Sequence, residues 1–322
     1  MKVNKSLIVC STPLHMLIAE RIVDLYPNDR FDLLIVTDTI NEKYKFYMDR
    51  LAKRCNSSVV FEMDSSSTFN YIKNFLYFKK VLRERSLNYD KYFVVNITSR
   101  YIQYLLSIKE CEGKLYTFDD GLANIYKYGS MYNEGKPSFI NNIVWKVLGV
   151  KKYSKEIKKE IKLHYTIFKD IPNIVANTKY ISLLEDCGNK VSGNEELVRR
   201  IFLGQPLTDI TAENNNKMLF SMLDSLNIDY YFRHPREKIE QANFKASIVE
   251  TNLIFEDYIM DVLKKEENVL FEVYTFSSSA AVNVASLGRV KVFFIYSPII
   301  HANAPFLYEE IKKMGFNILY NI

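Results

Sequence analysis

The sequence predicts an α/β protein built from two doubly wound, Rossmann-like halves, and three observations carry that prediction. Short apolar runs alternate with amphipathic stretches over the first 121 residues, and the alternation resumes from about Arg199. The 322 residues give room for two ordinary domains. With 48% hydrophobic and 25% charged residues, the composition is that of a packed globular chain. Alternation at this spacing requires crossover connections, hence mostly parallel sheets with helices on both faces.

In the first half the strand candidates are Leu7–Cys10, Phe31–Thr37, Val59–Met63, Tyr92–Ile97 and Leu115–Phe118. Helical patterns lie between them at Pro13–Tyr26, Glu42–Arg54, Phe69–Arg85 and Arg100–Ile108. Ser11-Thr12-Pro13 reads as a helix start, a hydroxyl cap followed by a proline whose missing N–H does no harm. The stretch 122–195 breaks the rhythm with Gly129, Gly135, Pro137, the single Trp145, and a helical lysine run, Lys151–Leu163, holding six Lys and two Glu. The second half reads as strand Ile201–Leu203, helix Asn215–Leu226, strand Tyr230–Phe232 and helix Glu256–Lys265. Strand Val269–Tyr274, helix Ser279–Leu287, strand Val290–Tyr296, helix Phe306–Met314 and strand Asn317–Leu319 complete it. The expected domains are residues 1–165, with a basic insert at about 140–165, and residues 166–322. Paired halves of this kind hold ligands at the carboxyl ends of their strands, in a cleft.

The net charge of +5 comes from 43 basic against 38 acidic residues, too balanced for a nucleic-acid binder. Cys10, Cys55, Cys111 and Cys187 form no CxxC pair, which argues against zinc and disulfides and fits a reducing cytoplasm. The N-terminus lacks signal-peptide organisation, and no apolar run approaches the roughly 18 residues of a membrane span. Apolar Ile143–Val150 beside the lysine run reads either as an interfacial anchor on an anionic membrane or as an ordinary solvated helix.

Four segments could carry chemistry. Arg233-His234-Pro235-Arg236 ends a strand with an imidazole between arginines, suited to an anionic leaving group such as a phosphate; the bland reading is a surface turn. Ser277, Ser278 and Ser279 open a helix after another strand, as a phosphate site or as plain N-capping. Asp119 and Asp120 of FDDG could be a base, a substrate contact or a metal pair, or simply an Asp-Gly turn; no third ligand at suitable spacing supports a metal. Asp209 of FLGQPLTD stands just beyond a strand, as a site residue or a helix cap. His15, His164 and His301 read as structural. No Gly-rich nucleotide-binding fingerprint and no nucleophile motif occurs.

These segments lie in the order seen in the bacterial lipooligosaccharide sialyltransferases of glycosyltransferase family 52, which the chain resembles over most of its length. The matching pieces are LIVCSTPLHMLIAERI, NEKYKFYMDRL, LYTFDDGLANI, HYTIFK, FLGQPLTD, FRHPRE, FEDYI and YTFSSSAAV. The resemblance implies a two-domain GT-B fold. It also implies metal-independent, cofactor-free transfer of sialic acid from CMP-sialic acid to a galactose-terminated glycan of lipooligosaccharide or capsule, with inversion and in α-2,3 linkage. By the family pattern His234 is the general acid or phosphate stabiliser, and Phe232, Arg233, His234, Pro235 and Arg236 contact the donor. Phe255 and Glu256 hold the base or ribose, and Ser278 and Ser279 bind the phosphate. The base is an Asp after the LG-x-P element, best matched by Asp209, although Leu207 and Thr208 intervene here. Asp120 is the rival, because a related sialyltransferase family uses an Asp-Asp-Gly aspartate. Further expectations are a homodimer with exchanged N-terminal domains, through the region around Ser65–Arg85, and a cytoplasmic enzyme touching the inner membrane face. The alternatives are another sugar transfer of the same family, such as α-glucosyl transfer, and a non-catalytic nucleotide-sugar-binding protein.

Overall fold

The computed structural model describes residues 3–64, 66–85, 87–108, 111–135, 138–183, 197–205, 216–234, 237 and 245–320. The chain divides into two compact units, one ending at Leu183 and the other beginning at Leu184. The first unit contains β1 (Lys5–Cys10), α1 (Pro13–Leu25), β2 (Arg30–Thr37), α2 (Glu42–Ala52), β3 (Ser57–Glu62), α3 (Thr68–Arg83), β4 (Lys91–Val94), α4 (Arg100–Ser107) and β5 (Leu115–Phe118). It continues through α5 (Phe139–Val147), α6 (Ser154–Glu160), β6 (Ile161–Thr166) and β7 (Thr178–Tyr180). Its seven strands lie in the order β3-β2-β1-β4-β5-β6-β7, and every described pairing is parallel.

Helix starts follow from side-chain chemistry. The Thr12 hydroxyl accepts from the His15 N–H, with Pro13 in the first turn, while Asn41 and Ser67 cap α2 and α3. Each satisfies an amide that helix geometry leaves without a partner. Seven of the eight β2 residues are buried, as expected for a central strand covered on both faces. Leu7, Val9, Leu34 and Val36 of the sheet pack with Phe75, Phe78, Tyr101 and Leu105 of α3 and α4.

The second unit contains β8 (Leu197–Leu203), α7 (Asn216–Ser225), β9 (Tyr230–Phe232), β10 (Ser247–Ile248), α8 (Phe255–Lys265), β11 (Val269–Thr275) and α9 (Ser279–Val284). It ends with β12 (Val290–Ile295), α10 (Pro298–Asn303), α11 (Leu307–Lys313) and β13 (Asn317–Leu319). The order β10-β9-β8-β11-β12-β13 is again parallel throughout. Both sheets start in the middle, run outward, then return across the first strand. Their topological switch points therefore lie between β1 and β4, and between β8 and β11.

Three expectations are revised. The strand expected to reach Ile97 stops at Val94, because Asn96 adopts a left-handed φ of 52°. The lysine run is helical only over Ser154–Glu160; from Ile161 the chain pairs with β5 and then β7 as a strand. That strand crosses the boundary expected at residue 165, and the first unit runs on to Leu183.

Candidate active site

Asp119 and Asp120 follow β5 at the carboxyl edge of the first sheet, and their carboxylates go to different histidines. Asp119 is fully buried. Its Oδ1 accepts from His164 Nε2 at 2.8 Å and from Asn173 at 2.9 Å, and its Oδ2 from the Ile167 N–H at 2.7 Å. The other ring nitrogen of His164 meets Thr117 Oγ1 at 2.8 Å. Satisfied on every side, this group locks β5 to β6, and His164 is structural as expected.

Asp120 keeps a quarter of its side-chain surface in solvent, with Oδ1 2.6 Å from His15 Nε2. His15 stands at the third position of α1, where its Nδ1 accepts the N–H groups of Ser11 and Thr12, both at 3.1 Å. It thus takes the place of the usual Glu or Gln in a reciprocal helix cap. Two donors on Nδ1 leave the proton on Nε2, which donates to Asp120. Burial disfavours the charged carboxyl, but the adjacent imidazole outweighs it and holds Asp120 below its ordinary value. Gly121, with φ 58°, makes the turn that follows. These bonds from His15 tie the start of α1 to Asp120, after β5. The link was hidden because its partner lies 105 residues away, although a His three residues after Thr12 was a visible signal.

In the second unit the His-Pro segment follows β9 and the serine segment follows β11, on either side of β8. Arg233 pairs with Glu250 at 2.5 Å. The His234 N–H donates to Glu237 Oε2 at 2.7 Å, and the Glu237 N–H returns to the His234 carbonyl at 2.9 Å. Tyr231 Oη donates to Glu237 Oε1 at 2.9 Å, and the Gln205 N–H also reaches this carboxylate. Burial pushes the Glu237 carboxyl up to about 7 against those donors and the Arg233 charge. Gly204 makes room for the arrangement: a Cβ there would lie 2.0 Å from Glu237 Oε2 and 2.8 Å from Tyr231 Oη. Gln205 reaches across the switch point, its Nε2 donating to Ser277 Oγ and its Oε1 accepting the Ser277 N–H, both at 2.8 Å.

Ser277, Ser278 and Ser279 are half-buried. Ser278 caps α9 without a side-chain bond to it, and its N–H donates to Thr275 Oγ1 at 3.2 Å. Glu256, in the first turn of α8, is buried and accepts from Asn283 Nδ2 at 2.8 Å. Phe232 and Phe255 are buried against each other edge to face, centroids 5.2 Å apart, so their rings line the core beneath the loops. Asp209, Pro235 and Arg236 lie outside the described residues. Among the described residues no group of three His, Cys, Asp or Glu is placed to hold a metal ion. Gln205 and Glu237 went unremarked in the sequence; the Glu three residues after His234, at capping-box spacing, was the available signal.

The profile of glycosyltransferase family 52 matches residues 28–297. The N-acetyllactosaminide alpha-2,3-sialyltransferase of Haemophilus influenzae is 31% identical over 320 residues, 98% of this chain and all of that one. The CMP-N-acetylneuraminate:beta-galactoside alpha-2,3-sialyltransferase of Pasteurella multocida is 34% identical, covering 98% of each. Among solved structures, a UDP-glucosyltransferase from Polygonum tinctorium superposes with a TM-score of 0.56 at 10% identity, over 99% of this chain and 85% of that one. That likeness supports the GT-B fold, with its two parallel Rossmann-like sheets. The chain belongs to glycosyltransferase family 52.

Proposed function

We propose that this glycosyltransferase moves sialic acid from CMP-sialic acid to the terminal galactose of a lipooligosaccharide or capsular glycan, in α-2,3 linkage, with inversion and without a metal. The observation that carries the reading is near-full-length likeness to two enzymes named for α-2,3-sialyl transfer. The geometry agrees on the donor side, where the His234 and serine segments flank one strand at a switch point. In the reaction the acceptor hydroxyl oxygen attacks the anomeric carbon of sialic acid as the bond to the CMP phosphate breaks. The phosphate leaves with the electron pair, and a carboxylate takes the hydroxyl proton. His234 neutralises or protonates the departing phosphate, assisted by Ser278 and Ser279. Glu256 and the adjoining Phe255 backbone hold the nucleoside.

We assign the base to Asp120, which stands partly exposed at a sheet edge and stays ionised at neutral pH through its bond from His15. Asp209, the alternative by family pattern, is tested alongside it.

The decisive assay is transfer from CMP-sialic acid to labelled lactose in the presence of chelator, with product linkage and anomeric configuration read by NMR. Inverted α-2,3-sialyllactose, lost in only one of Asp120→Asn and Asp209→Asn, supports the reading and names the base. Transfer from another nucleotide sugar, or CMP binding without turnover in any assay, replaces it with one of the alternatives.

We also propose that the first unit rests on an anionic membrane surface through α5. Trp145 anchors that helix inward on Tyr71 and Phe75, while Phe139, Ile140, Ile143 and Val147 are exposed, three of them by more than 70%. Lys146 of α5 is exposed, as are Lys151, Lys155 and Lys159 that follow it in sequence. Flotation with phosphatidylglycerol vesicles, abolished by Phe139→Asp with Val147→Asp, is the expected result. A second copy is expected on α3, whose Phe69, Leu76 and Tyr77 are exposed while Phe75 and Phe78 fill the core. Sedimentation velocity tests that dimer.

A further inference from the structure

We propose that Glu237 is a positioning residue for His234, and that with Gln205 it ties the three loops after β8, β9 and β11 into one preset frame for the leaving phosphate. The proposal rests on the sialyl-transfer reading. Its basis is an arrangement of three segments that are far apart in sequence.

The Glu237 carboxylate gathers the His234 N–H, Tyr231 Oη and the Gln205 N–H, which fixes the backbone from which His234 projects. The return bond from the Glu237 N–H to the His234 carbonyl ties the same two residues from the other side. Gln205, held by that carboxylate, uses both ends of its amide on Ser277 across the switch point. Ser277 directly precedes Ser278 and Ser279. Movement of any one loop therefore strains the other two.

The Glu237 carboxylate is a poor device for stability alone. Its donors are neutral, and Arg233 is paired with Glu250, so burying the charge is unfavourable. Gly204 further marks the approach as specific, because any side chain there would strike Oε2. Placement of a group that acts on a transition state is worth far more in rate than in stability, since a displacement of about 1 Å can lose about a hundredfold.

The test compares Glu237→Gln, Gly204→Ala, His234→Ala and the two double variants with wild type. Turnover of CMP-sialic acid is measured beside CMP affinity by calorimetry. Glu237→Gln keeps the size but places an amide NH₂ against N–H donors; Gly204→Ala displaces an intact Glu237. Either is expected to lower kcat about a hundredfold, to leave CMP affinity within about threefold, and to add nothing once His234 is alanine. Unchanged kcat overturns the proposal, as do multiplicative losses in the His234→Ala background or parallel loss of CMP binding. If Glu237→Gln does not fold, Gly204→Ala decides with the same outcomes. An inactive wild type overturns the sialyl-transfer reading instead, whereas an active wild type with unaffected variants overturns only the positioning role.

Discussion

Two carboxylates stand just beyond parallel strands, Asp120 in the first unit and Glu237 in the second, and their surroundings move them in opposite directions. Asp120 lies partly in solvent against an imidazole whose other nitrogen is committed to the backbone, and it is held below its ordinary value. Glu237 meets neutral donors, which do not offset its burial, and rises to about 7. Chemistry at a strand end is thus set by what the neighbouring loops bring to it. A depressed carboxylate is available to receive a proton at neutral pH. A raised one is a strained anchor whose value lies in what it holds.

The largest expected effect removes the first of the pair. Asp120→Asn should lower kcat by roughly a hundred- to ten-thousand-fold in single-turnover transfer assays, with CMP affinity unchanged. Loss of under threefold would break the comparison by making Asp120 structural like its neighbour.

The pH dependence of stability sharpens the same contrast. Between its ordinary value of 4.5 and about 7 the folded Glu237 binds more protons than the unfolded chain. The second unit should therefore lose stability as pH rises through that window, by about 3 kcal/mol. Denaturant titrations from pH 4.5 to 8 should show this fall in wild type and lose it in Glu237→Gln. Asp120 acts in the opposite sense, since its contribution is present above its ordinary value of 3.8 and is lost as pH falls below it.

A smaller effect is expected at His15, which satisfies two backbone amides and orients Asp120. His15→Ala should cost about 2 kcal/mol in urea unfolding through the orphaned groups, with kcat falling less than in Asp120→Asn. The smallest concerns the turn beyond the pair. Gly121→Ala forces a side chain into a left-handed conformation and should cost about 1 kcal/mol in the same titration.

What was legible in the sequence follows this division between local and distant contacts. The central strands announced themselves because strands buried on both faces are nearly continuous apolar runs, as in β2 and β11. The edge strand Thr178–Tyr180, exposed throughout, and the two-residue Ser247–Ile248 carry no such signal. The strand Ile161–Thr166 hid behind the Lys/Glu spacing of the helix it directly follows, and only pairing with β5 and β7 fixes it. Asp120, His234 and Ser278 could be singled out because each follows a strand. The capping spacing of His15 and Glu237 signals only a local turn, while the bond from His15 to Asp120 and the reach of Gln205 to Ser277 depend on distant partners. Gln205 and Ser277 are 72 residues apart, and His15 and Asp120 are 105.

On the proposed reading, the loop after β9 supplies the group that assists the departing phosphate. That role is tested most directly by kcat for CMP-sialic acid and lactose in wild type and His234→Ala, with CMP affinity measured on the same preparations. A fall of roughly a hundredfold or more in kcat with affinity nearly preserved is the expected result. Turnover within threefold of wild type in His234→Ala would contradict it.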